Sequence, residues 1–386
     1  MKFNQWTLGL AAVGAVSLAS AVRADEAKLS ALNTALSNTT ISGYVDAAAQ
    51  YNLGAQSAGS AQAFGVAGSK KDAISVNNVT ISLDKPMDES PWASGYHVDL
   101  NGGTDAITPL NANAGNFGIR QAYIALRTPV GNGIDWKLGL FDGITGYESN
   151  TSYLNPNYTR SYGYQVNPAS AAGLIGTYKV INEISVTAGI ANRGQTFGAG
   201  LLPAGQSNTG QFFASKDFIF AAALTAPDSW GFLKGSTLNV GTFQGFDNGA
   251  VNNYSVSATL NTPVTGLKFG LSYDAVQSLT QATPASDLSY DGNIYGVYAT
   301  YQATAKLNLS LRYEYVDISG VTKPSNWASN LQEITATVQY DLWANVVSRL
   351  EFRWDTTEHG VGLDQTGAFP ARNNGFLAAL NVVYKF

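Results

Sequence analysis

The segment SRLEFRWD, Ser348–Asp355, lies near the end of the chain, and from Arg349 onward it alternates strictly between charged and apolar side chains. In a β-strand, successive side chains point to opposite faces. The segment therefore predicts a strand with one wholly polar face and one wholly apolar face. The charged side chains are Arg349, Glu351, Arg353 and Asp355, and the apolar side chains are Leu350, Phe352 and Trp354.

The same period of two begins at Ile41 and continues to the last residue, in about sixteen segments of about 8–11 residues each. ISGYVDAAAQY (Ile41–Tyr51) and LNVVYKF (Leu380–Phe386) are the first and last of them. The connections alternate between short ones, such as VINE (Val180–Glu183), and long polar ones, such as Gly143–Pro168. This pattern predicts an all-β protein, a transmembrane antiparallel up-and-down β-barrel of about 16 strands with short periplasmic turns and long extracellular loops.

A soluble β-sandwich also alternates apolar and polar side chains, so alternation alone does not decide between the two folds. A sandwich domain uses about seven to nine strands, and no linker divides this chain into two such domains. Tyr and Trp collect at the ends of the predicted apolar faces, as in Trp136, Tyr340 and Trp343, which suits the headgroup layer of a bilayer. A closed sheet satisfies its backbone within a bilayer, and about sixteen strands leave an aqueous channel.

The N-terminus has the pattern of a secretory signal peptide, with a positive start, a short apolar core and a small-residue cleavage site. The apolar core is short for a membrane-spanning helix, so we expect export and removal rather than an anchor. Leu29, Leu32 and Leu36 of the following segment are spaced as in a helix. The predicted organisation is a signal peptide over 1–24 (cleaved after Ala24, or alternatively after Ala21), a short periplasmic segment over 25–38, and a transmembrane barrel over 39–386.

The chain ends on an aromatic residue that closes its last predicted strand. Tyr384 and Phe386 lie on the same face of that strand. A terminal aromatic residue in this position resembles the signal that the outer-membrane barrel-assembly machinery reads. We therefore expect this machinery and the lipid of the outer membrane to be partners of the chain.

Composition excludes several other classes of protein. Only 13% of the 386 residues are charged, the net charge is −5, and there is no Cys. An acidic chain without a basic stripe argues against a nucleic-acid binder. The chain has two His, His97 and His359, and we find no G-x-S-x-G, no H-E-x-x-H and no motif for a metal, nucleotide or haem. The sequence predicts neither an enzyme nor a cofactor.

The segment LGLFDGITGYESNTSYLNPNYTRSYGYQVNP, Leu138–Pro168, carries a family resemblance. A strand ending in G-x-F, then G-Y-E, then N-x-x-Y-T-R-S-Y is similar to the middle region of the OmpL-like β-barrel porins of Gram-negative outer membranes. The resemblance implies passive or weakly selective transport and no catalytic residues.

The loop Gly143–Pro168 is dense in rings and charges, so it is the first candidate site. Long loops on rigid scaffolds often carry function. Folded inward, this loop would narrow the pore; folded outward, it would only cover the rim. The candidate constriction residues are Glu148, Tyr153, Tyr158, Arg160 and Tyr162.

Charged and polar residues on the predicted inner face are the second candidates. Because both signs are present, we expect weak ion selectivity, although many of these charges could instead pair across neighbouring strands. The predicted pore-lining residues are Asp46, His97, Asp99, Lys137, Arg312, Glu314, Arg349, Glu351 and Arg353.

The sequence thus predicts an outer-membrane porin for passive diffusion of small hydrophilic solutes. Two alternatives stay open at this point: a channel selective for one substrate class, such as sugars, and a structural or adhesive barrel acting through its long loops. Many barrels of this size are trimers, so we expect a homotrimer by analogy.

Overall fold

The structure is a computed structural model that describes residues 38–53, 70, 72–107, 117–192, 195–196, 216–245, 251–278, 291–319, 330–357 and 374–386. The predicted signal peptide over 1–24, almost all of the segment over 25–38, and His359 lie outside the described residues.

Almost all of the described chain is antiparallel sheet. Sixteen long strands and one two-residue strand, β8, form it. The strands are β1 (Thr40–Leu53), β2 (Ala73–Lys85), β3 (Ser94–Gly102), β4 (Phe117–Thr128), β5 (Ile134–Asp142), β6 (Pro168–Lys179), β7 (Ile184–Asn192), β8 (Gln195–Thr196), β9 (Lys216–Thr225), β10 (Thr237–Gly245), β11 (Val251–Asn261), β12 (Leu267–Ser278), β13 (Asp291–Gln302), β14 (Leu307–Ser319), β15 (Asn330–Trp343), β16 (Val346–Thr357) and β17 (Asn374–Lys385).

Helical structure is minor among the described residues. There it consists of the α-helix α1 (Tyr162–Val166) and two 3₁₀ segments, Ser152–Leu154 and Asp228–Leu233. Within the described ranges, no helix has the length and apolar character needed to cross a membrane.

The sheet closes on itself. Each long strand pairs with the next long strand along the chain, β7 pairs with β9, and β8 pairs with β6. β1 pairs with β17 from Tyr44 opposite Lys385 to Leu53 opposite Phe376. Beyond this register, Gly43 and Phe386 exchange two backbone hydrogen bonds of 2.9 and 3.0 Å. The predicted closed barrel of 16 strands is confirmed.

The period of two places charges inside the barrel and apolar side chains outside. On β16, Arg349 and Glu351 are 1% and 0% exposed, whereas Leu350 and Phe352 are 44% and 54% exposed. In a bilayer, the exposed apolar face contacts hydrocarbon, and the paired strands leave no open sheet edge.

The connections sort onto two rims, as the sequence predicted. The short turns share one rim with the start of β1 and the end of β17. The tightest turn is Ala344–Asn345, where Asn345 has a φ of 66°, a conformation that Asn tolerates well. Trp92 and Trp343 at this rim are 73% and 71% exposed, which places their rings at the level of the headgroups.

One part of the inner face is apolar, contrary to the simple alternation of an apolar outside and a polar inside. Phe141, Ile175, Ile219 and Phe243 point inward from β5, β6, β9 and β10, and they are 0–3% exposed. They pack against one another and against Ile144 of the loop after β5, so little of their surface contacts water.

Candidate functional site

The long loop between β5 and β6, residues 143–167, lies inside the barrel and crosses its interior. In the ring of sixteen long strands, β14 and β15 are the strands opposite to β5 and β6. The loop makes its densest contacts with inward side chains of β14, β15 and β16. We call this segment the lumen loop.

Two glutamates of the opposite side hold the backbone of the lumen loop. Glu351 accepts the N–H groups of Tyr158 at 2.5 Å and Thr159 at 2.8 Å. Glu314 accepts those of Tyr162 at 2.6 Å and Gly163 at 3.0 Å. These four amides belong to irregular backbone or to the first turn of α1, so they need partners from outside the loop.

Three arginines hold the carbonyl groups of the same loop. Arg312 donates to the carbonyl of Thr159 at 2.8 Å, and Arg353 donates to that of Arg160 at 2.6 Å. Arg349 donates to the carbonyl of Asn155 at 3.0 Å. These contacts are to backbone atoms, so the strand charges fix the path of the loop directly; Arg312 and Arg353 also donate to the hydroxyl of Thr159.

Two of the anchoring arginines, Arg312 and Arg353, are also paired with carboxylates. Arg312 contacts Glu148 of the lumen loop at 2.7 Å and Glu333 of β15 at 2.5 Å, and all three side chains are fully buried. Arg353 pairs with Asp355 at 2.7 Å. Ion pairs this deeply buried depend on complete hydrogen bonding, since removal of either partner leaves an uncompensated charge.

Glycines lie at points where the lumen loop closely approaches the strands, and Gly163 and Gly270 are two of them. A Cβ on Gly163 would meet a carboxylate oxygen of Asp274 on β12, and a Cβ on Gly270 of the same strand would meet the phenol of Tyr147. The ring of Tyr147 stacks on Tyr298 of β13 with the ring centroids 4.1 Å apart.

The structure brings the five candidate constriction residues together in the lumen, although only some of them face open space. Glu148, Tyr158 and Tyr162 are buried against the strands, and Arg160 and Tyr153 are half-buried. Tyr162 donates to Asp355 at 2.7 Å. Through these contacts, the candidate residues help to hold the loop against the strands and also form part of its free surface.

Tyr158, Arg160 and Tyr153 also contact neighbouring side chains, and the ring of Tyr153 packs against Tyr44. Asn77 of β2 donates to the phenol of Tyr158 at 3.3 Å. The guanidinium of Arg160 lies 4.7 Å from the ring centroid of Tyr164. Burial raises the pKa of the Tyr164 phenol to about 12, so the phenol stays protonated and donates to Asn150 at 2.7 Å.

The predicted pore-lining residues all lie on inward-facing positions, but the interpretation that they contact open water needs correction for most of them. Arg312, Glu314, Arg349, Glu351 and Arg353 are each 0–1% exposed because the lumen loop covers them. Asp46 is 1% exposed, and it accepts hydrogen bonds from Asn77 at 2.9 Å, Asn381 at 2.6 Å and Ser152 at 2.5 Å. These six residues hold structure together instead of lining water.

The other three predicted pore-lining residues form a separate group on β3 and β5. His97 lies between Asp84, at 2.9 Å, and Asp99, at 3.0 Å. Lys137 is exposed and lies 4.7 Å from the ring centroid of Tyr123. Asp99 is 3% exposed, so Lys137 is the residue of the predicted set that faces open space.

A cavity of about 720 Å³ lies between the lumen loop and the short-turn ends of β10–β15, and we call it the chamber. One side consists of loop residues, among them Tyr147, Tyr153 and Leu154. The strand side consists of neutral polar side chains and Lys268. The residues that sequence reasoning missed on this side are Thr237, Asn239, Ser257, Thr259, Thr300, Gln302, Asn308 and Gln339. The available signal was that each of them lies on the inward-facing side of its strand, close to a short turn.

No group of three or more His, Cys, Asp and Glu side chains suited to a metal ion occurs among the residues with described positions.

The fold is similar to those of solved outer-membrane proteins. The outer membrane channel DcaP of Acinetobacter baumannii aligns with a TM-score of 0.61 and 12% identity, over 90% of this chain and 97% of that chain. An anion-selective porin from Comamonas acidovorans aligns at 0.58 and 11%, over 90% and 99%. In vitro folded OmpT of Vibrio cholerae in its trimer form aligns at 0.54 and 13%, again over 90% and 99%. At these identities, the likeness concerns the fold alone.

Comparison with curated protein sequences gives no significant match. The family described as "Putative beta-barrel porin-2, OmpL-like" matches residues 38–386, which is nearly the whole chain. The resemblance first indicated by Leu138–Pro168 therefore extends over the complete barrel. The chain belongs to this OmpL-like β-barrel porin family, and it forms a channel in the outer membrane of a Gram-negative bacterium.

Proposed function

We propose that this porin conducts small hydrophilic solutes by passive diffusion, with weak ion selectivity, and that the lumen loop forms its constriction. The supporting observation is the docking of this loop across the interior by backbone contacts to Glu314, Glu351, Arg312, Arg349 and Arg353. A loop held in this way narrows the passage permanently, because its anchors do not depend on a solute.

Weak ion selectivity follows from the positions of the inward-facing charged side chains. Most inward charges are buried in pairs or against backbone groups of the loop, so they contribute little field to the open water. Rings of accessible charge of one sign produce ion selectivity in channels. Lys137 and Lys268 are accessible, and they do not form such a ring.

Single-channel recording in planar bilayers tests this function. We expect conductance steps that rise with KCl concentration, and a reversal potential near zero in a KCl gradient. Purified, heat-modifiable protein without conductance steps would contradict the channel, and a reversal potential close to the Nernst value for either ion would contradict weak selectivity.

A cysteine pair tests the position of the loop. The chain has no Cys, and Asn157 of the loop donates to Thr337 of β15 at 2.7 Å. Asn157→Cys combined with Thr337→Cys is expected to crosslink under mild oxidation without loss of conductance. Failure to crosslink in a folded barrel would argue against a docked loop.

Two further points belong to the same proposal. The channel works without enzymatic activity, which its family and fold support. It forms a homotrimer, which the trimer form of the similar OmpT supports. Crosslinking of the protein in native outer membranes, followed by mild electrophoresis, measures the number of subunits.

A further inference from the structure

We propose that the chamber is a binding site for uncharged polyhydroxylated solutes, such as sugars, on the periplasmic side of the lumen loop. The inference rests on the proposed diffusion function, and it adds a site and a chemical class of solute to it. It follows from two surfaces that face each other across the chamber.

The strand side of the chamber offers neutral hydrogen-bonding groups. Thr237, Asn239, Ser257 and Thr300 contribute hydroxyl and amide groups from β10, β11 and β13. In the part of the chain that the structure describes, these four side chains have no hydrogen-bond partner in the protein. Asn239 is exposed and Thr237 and Thr300 are half-buried, so these three can donate to and accept from the hydroxyl groups of a solute, whereas Ser257 is 4% exposed.

Two further side chains extend this polar surface toward the short turns. Asn308 donates to Gln302 at 3.1 Å, and Gln302 in turn donates to the carbonyl of Thr304 at 2.7 Å. These contacts orient the two amides, while Gln302 remains exposed. Oriented amides favour a solute that can both donate and accept.

The loop side of the chamber offers rings and an exposed apolar residue. Leu154 at the end of the 3₁₀ segment is 61% exposed, although it belongs to a loop in a polar lumen. Tyr147, Tyr153 and Pro156 line the chamber beside it. Both rings are held in place: Tyr147 stacks on Tyr298, and Tyr153 packs edge-on against Tyr44 with the centroids 5.1 Å apart.

A sugar ring matches this pair of surfaces. Its C–H faces are apolar and pack against aromatic rings and aliphatic side chains, and its edges carry hydroxyl groups that pair with neutral amides and hydroxyls. Ligand sites typically combine such an apolar surface with a few oriented polar groups.

The charge of the chamber favours an uncharged solute. Of the described residues that line it, Lys268 is the one with a charged side chain. A cationic solute therefore finds no carboxylate to compensate its desolvation, and an anionic solute finds a single ammonium group. An uncharged sugar has no such cost.

Current block by maltose in single-channel recordings tests the site. We expect added maltose to reduce the ion current of the wild-type channel with a saturable concentration dependence. Gluconate, which carries a charge, and equal weights of polyethylene glycol, which lacks hydroxyl-bearing rings, are expected to reduce the current without saturation.

Variants of residues that line the chamber locate the block. Asn239→Leu, Thr300→Val and Leu154→Ser are each expected to raise the half-saturating maltose concentration about 3- to 10-fold, the effect of losing one neutral hydrogen bond or a comparable apolar contact. Thr187→Val makes the same change on the inner face of β7, outside the chamber, and is expected to leave the block unchanged.

The outcomes separate the two proposals. Conductance steps without saturable maltose block would overturn the sugar site and leave the diffusion channel intact. Saturable block that Thr187→Val weakens as much as Thr300→Val would also overturn the site, since the block would then arise elsewhere. Absence of conductance steps in folded protein would contradict the proposed function itself.

Discussion

The carboxylate of Glu351 on β16 accepts the backbone N–H of Tyr158 at 2.5 Å, and this contact joins a membrane-spanning strand to a loop 193 residues earlier in the chain. The same carboxylate accepts the N–H of Thr159 at 2.8 Å and the hydroxyl of Thr337 at 2.7 Å. One buried side chain thereby fixes the part of the lumen loop that lies farthest from its own strands.

Glu351→Ala is expected to release this part of the loop. Each N–H group left without a partner in a buried position costs about 1–3 kcal/mol of free energy. The docked position of this part of the loop is then no longer more stable than an undocked one. We expect larger and noisier conductance steps, measured in planar bilayers. Glu183→Ala removes a carboxylate from a short turn and is the matched control; equal noise in both variants would contradict the anchoring role.

Neighbouring substitutions on β16 are expected to have opposite effects. Leu350→Arg places a charge on the lipid face at a cost of about 2–4 kcal/mol if the residue lies near mid-depth, so we expect impaired assembly. Arg349→Leu removes the donor to Ser152 and Asn155 inside the lumen, so we expect normal insertion and altered conductance. Heat-modifiable gel mobility in outer membranes measures insertion, and equal tolerance of both changes would argue against the register.

Arg312→Met is expected to destabilise the docked loop strongly. The substitution leaves Glu148 buried without its cation and leaves Glu333 with Arg353 at 3.7 Å, and breaking a buried pair in this way costs about 3–5 kcal/mol. The midpoint temperature of the heat-modifiable transition should therefore fall.

A double substitution distinguishes charge compensation from simple loss of packing. Adding Glu148→Gln to Arg312→Met removes the carboxylate that the first substitution leaves without its cation, so we expect partial recovery of the midpoint temperature. Additive losses in the double variant would mean that Arg312 and Glu148 do not act as a pair.

Lys268→Glu is expected to change ion preference more than conductance. Lys268 is the charged residue among the described residues that line the chamber, and the substitution reverses its sign. We expect the ratio of cation to anion permeability, obtained from reversal potentials in KCl gradients, to rise a few-fold. Lys234→Glu, in a short turn outside the chamber, should leave the ratio unchanged.

Sequence reasoning identified the loop but not the role of the charges opposite it. Arg312, Glu314 and Glu351 were predicted to line water, and they lie under the loop instead. The alternation in the sequence showed that these side chains face inward, but it did not show that the lumen loop covers them. The chamber residues Thr237, Asn239 and Thr300 were missed because their one signal, an inward-facing position near a short turn, is shared by many neutral side chains of a barrel.

Composition and alternation by themselves determined the barrel, the number of strands, and the face on which each residue of SRLEFRWD lies. They could do so because the side-chain period of a strand is fixed by its backbone, and a bilayer penalises every charge on the wrong face. Tertiary structure alone decided which inward side chains contact water. That outcome depends on contacts such as Arg312 with Glu148, 164 residues apart, which no local pattern encodes.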